Sequence, residues 1–199
     1  MTRIGAFAAT GVLVVATILQ GVPVAASSLE PEPPPFVTCR TSGAVSNCSG
    51  NIDITQTAVS SFFACPSFEI LENALVHLDW RLTYNAEGRA TKWAIHANQP
   101  LPGGHNIWFN ATDPSKFVPQ VGNWNVVLDF RTPGDFSTVV ETDTGLLSRV
   151  VLPDGGSIVL DSGITILDPD FNVVFEAGRH FLFVTPNSGP MQRVCAALS

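Results

Sequence analysis

Polar and apolar side chains alternate with a period of two along much of this chain, which is typical of strands with one buried face. In residues 75–84 every second position is apolar, and residues 89–97 continue the alternation after a turn sequence that contains glycine. Short runs of the same kind follow from residue 124 to residue 184. The predicted turns between them include Asp143-Thr144-Gly145, Ser162-Gly163 and Ala177-Gly178.

The register of the first hairpin follows from its apolar faces. A four-residue loop places Trp80 opposite Trp93 and His77 opposite His96, because a slip by one residue would turn one apolar face outward. The two tryptophans are then predicted to lie in the core. The two histidines share the polar face of the hairpin with Asp79.

The spacing of the turn signals, about 8–12 residues, indicates an all-β fold. No interval between them holds the crossover helix that a parallel sheet needs. We therefore predict an antiparallel barrel or sandwich of about eight to ten strands, with a short C-terminal helix over residues 191–198. Residues 98–123, which are rich in proline and glycine, are predicted to be a long irregular loop.

The first 26 residues follow the order of a secretory signal peptide. Arg3 supplies a cationic start, an apolar stretch follows, and small residues end the segment at Ala26. An uncleaved membrane anchor is the alternative, although the apolar stretch is slightly short for a span of about 20 residues. We predict a signal peptide over residues 1–26, a proline-rich linker over 27–35 and one secreted, extracellular β domain over 36–199.

The charge of the chain argues against several classes of partner. Charged residues are 14% of the 199 residues, and the net charge is −7. Removal of Arg3 with the leader leaves nine basic and 17 acidic residues, a net charge of −8. An acidic protein is not attracted to nucleic acid or to anionic lipid. We predict no nucleic-acid partner, no membrane association after cleavage and no cofactor, and the oligomeric state stays open.

All four cysteines follow the predicted leader, and an even number in an oxidising compartment indicates two disulfides. Three pairings are open. Cys39 and Cys48 flank a polar stretch that can turn back on itself, and Cys65 with Cys195 would join the start of the domain to its end. The spacings lack a C-x-x-C pair, so no metal site is predicted at the cysteines.

The last third of the chain contains, from Gly145, the segment GLLSRVVLPDGGSIVLDSGITILDPDFNVVFEAGRH. Together with Cys65-Pro66-Ser67-Phe68 and the Cys-Ala-Ala-Leu tail, it resembles uncharacterised secreted proteins of high-GC Gram-positive bacteria. The resemblance implies a small exported β protein and favours the pairing of Cys65 with Cys195. It implies no activity.

The weak catalytic candidates are His77, Asp79 and His96. Directly opposed side chains on antiparallel strands lie about 4.5–5.5 Å apart at Cβ, close enough for two imidazoles to share a metal or exchange a proton. Arg81 and Lys92 on the same face would repel a cation, so no metal is predicted. The chain also lacks a G-x-S-x-G nucleophile motif, which makes an enzyme the less favoured interpretation.

The ligand-binding candidates are Trp108, Phe109, Asn110 and His105 in the predicted loop. An exposed aromatic ring flanked by amides can stack on a sugar or an apolar ring. The leading hypothesis is a secreted protein that binds a small apolar or carbohydrate ligand without catalysis. The alternatives are a secreted hydrolase or isomerase that uses the histidine face, and a surface interaction protein without a pocket.

Overall fold

The computed structural model of the protein describes residues 29–100, 106–180 and 189–199, apart from the side chains of residues 62–64. The predicted signal peptide, residues 1–26, lies outside the described residues. In the described part of the chain, no helix is long and apolar enough to cross a membrane.

Nine antiparallel strands in one sheet and a C-terminal helix make up the described chain, which confirms the predicted fold class. A 3₁₀ turn, Phe136–Thr138, precedes the seventh strand. The strands are β1 (Val37–Ser42), β2 (Val45–Cys65), β3 (Phe68–Tyr84), β4 (Ala90–Gln99), β5 (Ile107–Asn110), β6 (Asp113–Phe130), β7 (Val139–Val151), β8 (Ser157–Leu167) and β9 (Val173–His180), and the helix is α1 (Gly189–Ala197).

The strands follow chain order across the sheet, and β1 and β9 form its two edges in the described part of the chain. β4 and β5 occupy one strand position of the sheet between them, because each pairs with β3 on one side and with β6 on the other. The arrangement is sandwich-like, with a buried interior face and an outer face. The long irregular loop predicted over residues 98–123 is therefore wrong. In the described part of that stretch, residues 98–99 end β4, residues 107–110 form β5 and residues 113–123 belong to β6.

The turns predicted at Gly145, Gly163 and Gly178 are also wrong, because these glycines lie within strands and pair with one another across the sheet. Gly145 on β7 pairs with Gly163 on β8, which pairs with Gly178 on β9. Their φ angles are +119°, +138° and +130°, a region that favours glycine. A Cβ on Gly163 would lie 2.1 Å from the carbonyl oxygen of Ala177. These three glycines, the glycine row, therefore let three strands continue where the backbones approach too closely for side chains.

The register of the β3–β4 hairpin differs from the prediction by two residues. The loop is one residue longer than predicted, because Tyr84 pairs with Ala90, and a bulge between Thr83 and Tyr84 adds one more residue. Trp80 therefore pairs with Ile95, and Trp93 pairs with Leu82. The faces are nevertheless correct, because a shift of two residues preserves the alternation. The rings of Trp80 and Trp93 lie 6.1 Å apart, centroid to centroid, in an edge-on contact.

The interior face holds two separate apolar cores. The hairpin core lies where β3, β4, β6 and β7 meet, and the helix-side core lies where α1 packs on the sheet. The hairpin core comprises Cys48, Trp80, Leu82, Tyr84, Ala90, Trp93, Leu128, Phe130 and Val139. The helix-side core comprises Cys65, Ile70, Trp108, Val118, Val150, Leu152, Ile158, Leu160, Met191, Val194 and Leu198.

Two disulfides join Cys39 to Cys48 and Cys65 to Cys195. The first links the edge strand β1 to β2, and the second ties α1 to the end of β2. Residues 29–35 differ from the solvated linker that was predicted. Their backbone exchanges hydrogen bonds with Gly88 and Ala90, and the Tyr84 hydroxyl donates to the carbonyl oxygen of Pro31.

We expect Gly163→Ala to lower the free energy of unfolding by about 3 kcal/mol or more. A left-handed backbone costs an alanine about 1–2 kcal/mol, and overpacking adds about 1–3 kcal/mol. Gly155→Ala is the matched control, since φ there is +80° but a Cβ would meet nothing within 4 Å. Urea denaturation should separate the two variants. Equal losses of stability would contradict the close backbone approach.

We expect the two disulfides to differ in their effect on stability. Their sequence separations are 130 and 9 residues. In the chain-entropy model, closing the longer loop stabilises the fold by about 5 kcal/mol and closing the shorter one by about 3 kcal/mol. Denaturation of Cys65→Ala/Cys195→Ala and of Cys39→Ala/Cys48→Ala tests this order. A larger loss from the second pair would contradict it.

Candidate functional site

A band of polar side chains crosses the interior face between the two apolar cores. On β7, for example, Val139 belongs to the hairpin core and Val150 to the helix-side core, whereas the interior positions between them are polar or glycine. We define the polar band as Gln99 on β4, Gln120 on β6, Glu141, Asp143 and Ser148 on β7, Asp161 on β8 and His180 on β9. All of these residues are buried or half-buried.

Five buried polar atoms of this band have no hydrogen-bond partner among the described residues. Buried polar groups in folded proteins are nearly always hydrogen-bonded, so a concentration of unpartnered atoms requires an explanation. The atoms are Oε1 of Gln99, Oε1 of Gln120, Oδ1 of Asp143, Oδ2 of Asp161 and Nε2 of His180.

Asp161 and His180 form a buried pair between neighbouring strands. They are directly paired in the β8–β9 register, and Nδ1 of His180 lies 3.3 Å from Oδ1 of Asp161. Their side chains are 1% and 10% exposed. Burial raises the pKa of Asp161 to about 6, although the charge and hydrogen bond of His180 oppose the shift. Because Nδ1 faces the carboxyl group, Nε2 of His180 is left to interact with another group.

Glu141 and Asp143 lie on the same strand and share a hydrogen bond. Burial raises the pKa of Glu141, and burial together with the charge of Glu141 raises the pKa of Asp143 to about 8. Asp143 therefore carries a proton at neutral pH and donates it to Glu141 in the hydrogen bond. The charge of Asp161 adds to the shift of Asp143, which means that the two carboxyl groups interact across the glycine row.

The sheet geometry explains why this interaction is unexpected from sequence. Asp143 pairs with Thr165, four residues along β8 from Asp161. Four residues of a flat strand span about 13 Å. The glycine row lies between the two levels, so the interaction of the two carboxyl groups crosses this row.

A further buried acid, Glu72 on β3, is associated with Trp108. The two residues are paired between β3 and β5. Burial raises the pKa of Glu72 to about 7, and a hydrogen bond with the Trp108 side chain opposes the shift. The interior face of the sheet therefore holds four carboxyl groups that burial makes weaker acids than usual.

The ligand-binding candidates predicted from sequence lie in or beside the helix-side core. Trp108 and Phe109 are 2% and 7% exposed on β5. Asn110 is buried as well, and its side chain donates to the carbonyl oxygen of Leu198, which anchors the chain after α1. These three side chains are structural in the described fold, and the open aromatic surface predicted for Trp108 is not there. His105 lies outside the described residues.

The catalytic candidates His77, Asp79 and His96 lie on the outer face. Asp79 pairs with His96, whereas His77 pairs with Asn98, so the predicted opposition of the two histidines is wrong. The longer loop and the bulge in the hairpin together account for the change. Nδ1 of His77 lies 2.7 Å from Oδ1 of Asp53 on β2, and this hydrogen bond is the main reason that the pKa of His77 is raised. The His77 side chain is 40% exposed, which is open to solvent.

The sequence contained a signal for the polar band that the turn interpretation concealed. Glu141 and Asp143 occupy the same parity as Val139, and this parity faces the interior. If a turn interrupted the strand at Gly145, Asp143 would belong to the turn, and nothing would place its carboxyl group inside the fold. Because β7 continues through Gly145, both acids occupy core positions, which is unusual for charged residues.

Comparisons of the chain with protein-family models, with curated proteins and with solved structures find no match. The functional interpretation therefore depends on the site itself.

We expect the stability of the protein to fall as pH rises from about 4 to about 8. Asp143 and Glu141 have raised pKa values in the folded state, so the folded protein holds protons that the unfolded chain has released. Each retained proton makes the free energy of unfolding fall by at most about 1.4 kcal/mol per pH unit. Asp161, with its raised pKa, contributes in the same direction over the lower part of this range.

The test is urea denaturation between pH 4 and pH 8 of the wild type, Asp143→Asn and the control Glu87→Gln. Asparagine can still donate a hydrogen bond to Glu141 but does not titrate, so the slope should become smaller. Glu87→Gln removes one charge from an exposed turn and should keep the wild-type slope. An unchanged slope in Asp143→Asn would contradict a retained proton. Asp161, Glu176 and His180 are unchanged in both variants and serve as a common background.

Proposed function

We propose that this protein is exported and binds a small ligand against its polar band. The single observation that supports this proposal is the set of five buried polar atoms without a partner among the described residues. Each unpaired buried polar group costs about 1–3 kcal/mol of stability. Such a cost is typical of binding sites, in which convergent polar groups within an apolar surround orient a ligand.

The surroundings of the band fit a small ligand. Apolar cores flank it on both sides, so a ligand there would meet apolar walls and a polar centre. The glycine row adds a stretch of backbone without side chains next to the acids. A small apolar or carbohydrate ligand, as hypothesised from sequence, meets these conditions through hydroxyl or other polar groups on an apolar ring.

Two features support export. All four cysteines are in disulfides, which fits an oxidising compartment. The resemblance of the last third of the chain to secreted proteins points the same way, as does the leader-like pattern of residues 1–26. In this proposal the mature protein begins at Ser27.

A second candidate is acid–base catalysis by the Asp161–His180 pair, and the geometry of the imidazole favours it. A carboxyl group at Nδ1 and an unpartnered Nε2 are the arrangement in which histidine exchanges protons with a substrate. Binding alone and catalysis differ in one measurement. A ligand that is only bound is recovered unchanged, whereas a substrate is converted and Asp161→Asn slows its conversion.

We expect Gln120→Met to stabilise the free protein by about 1 kcal/mol. The variant replaces an unpartnered amide oxygen with an apolar side chain of similar size. Among the described residues, the one side-chain hydrogen bond that it removes is a long one of 3.4 Å to Ser148. Gln56→Met on β2 is the control and should change the free energy of unfolding by less than about 0.5 kcal/mol. If Gln120→Met is destabilising, Gln120 has a structural role and the proposal loses part of its support.

The direct test is a ligand titration monitored by amide resonances of the mature, disulfide-bonded protein. Mixtures of monosaccharides, small aromatic compounds and small polar compounds would be added to ¹⁵N-labelled protein. We expect shifts at Gly145, Gly163 and Gly178 and at neighbouring residues of the band. The expected affinity loss in Gln120→Met distinguishes this site from others. Shifts confined to the outer face around His77, or no shifts at all, would refute the proposal.

A further inference from the structure

We infer that the ligand of the polar band is a small organic cation, an ammonium group attached to an apolar body. This inference rests on the proposed ligand-binding function and specifies its chemistry.

The charges of the interior face are the first argument. The carboxyl group of Asp143 interacts there with those of Glu141 and Asp161. Every described lysine and arginine except Arg149 is exposed. Arg149 is half-buried, and its Nε is a buried donor without a hydrogen-bond partner among the described residues. Its charge is not among the causes that shift the pKa values of Glu141, Asp143 and Asp161. In the described part of the chain the acids of the band are therefore opposed by no lysine or arginine. His180 is the one basic side chain beside them.

The unpartnered atoms are a second, independent argument. Oδ2 of Asp161 belongs to a side chain that is 1% exposed, and it can only accept a hydrogen bond when the carboxyl group is ionised. Oδ1 of Asp143 and the amide oxygens of Gln99 and Gln120 are also acceptors. The band thus has more acceptors than donors. An ammonium group offers up to three donors and no acceptor, which complements this surplus.

Trp124 on β6 supplies the third argument. It pairs with Gly145, next to the position where Val126 pairs with Asp143, and it occupies the interior parity of its strand. The side chain is half-buried, and a Cβ on Gly122 would lie 2.8 Å from its ring. The same point lies 2.9 Å from Oε1 of Gln99, so the indole ring lies close to an unpartnered acceptor of the band. An indole face attracts an organic cation through a cation–π interaction.

An organic cation fits better than a metal ion. Among the described residues, no group of three or more His, Cys, Asp or Glu side chains is placed to hold a metal. Metal ions need several ligand atoms within about 2–2.6 Å. An ammonium group with an apolar body can instead contact carboxyl groups and an aromatic ring that lie several ångströms apart.

The test uses three probes that share one apolar body: 4-phenylbutylamine, 4-phenylbutanol and 4-phenylbutyrate. Each is titrated at pH 8 into the ¹⁵N-labelled, disulfide-bonded mature protein, with the amides of the glycine row as reporters. We expect the amine to bind at the band, the alcohol to bind at least ten times more weakly and the carboxylate not to bind.

Substitutions test whether the amine binds at the polar band or on the outer face. Asp161→Asn should weaken amine binding at least tenfold, since it removes a carboxylate while keeping an acceptor of the same shape. Asp79→Asn on the outer face should leave the affinity unchanged. Thermal unfolding of each variant confirms that it is folded, and Trp124→Leu provides a further test in which no charge changes and the amine should again bind more weakly.

The outcomes separate this inference from the proposed function. If the alcohol or the carboxylate binds at the band as tightly as the amine, the cationic class is wrong while ligand binding stands. If none of the three probes shifts the glycine row, the cationic class is also overturned, and the broader titration above decides whether the band binds ligands at all. Amine binding that Asp79→Asn weakens and Asp161→Asn does not would assign the effect to the outer face and overturn the inference.

Discussion

The close approach of three backbones at the glycine row is the constraint on which the rest of this structure depends. Gly145, Gly163 and Gly178 are in register on β7, β8 and β9, and a Cβ on any of them would overlap backbone of a neighbouring strand. Three strands can therefore remain paired through these positions, where side chains would not fit. This continuity carries Asp143 and Asp161 to positions where their charges interact. A sheet that ended in turns at these glycines would not create the polar band.

The unpartnered atoms of the polar band lower the stability of the fold, and the two apolar cores and the disulfides offset this loss. The cores pack on either side of the band, so the fold does not depend on burial at its centre. The Cys65–Cys195 disulfide fixes α1 over the helix-side core, and the Cys39–Cys48 disulfide fixes the edge strand beside the hairpin core. The stabilising apolar contacts therefore lie at the two ends, and the unpartnered polar atoms of the band lie between them. Proteins commonly separate the two in this way, because an active or binding surface is seldom the most stable arrangement of its own residues.

The features that follow from the alternation of polar and apolar residues could be predicted from the sequence. The structure around the glycines could not, because glycine occurs both in turns and within strands. The all-β class, the helix at the C-terminus and the inward direction of Trp80 and Trp93 follow from periodicity, and the structure confirms them. Glycine, however, marks both turns and places of close backbone approach, and only the pairing of strands distinguishes these cases. The same ambiguity hid the site, since Asp143 was assigned to a turn. Trp108 was misjudged for a related reason, because the proline-rich stretch around it was interpreted as a loop.

A comparison of two histidine–aspartate pairs in the described chain, His77–Asp53 and His180–Asp161, shows why environment and not residue type identifies the candidate site. His77 and Asp53 are closer together than His180 and Asp161, yet both are exposed on the outer face. Water can satisfy every remaining atom of an exposed pair, so its formation has little consequence beyond a small electrostatic gain. The inner pair is shielded from water and leaves Oδ2 of Asp161 and Nε2 of His180 unpartnered. In a medium of low polarity such atoms interact strongly with any complementary group, and this makes the inner pair the better candidate for recognition or proton transfer.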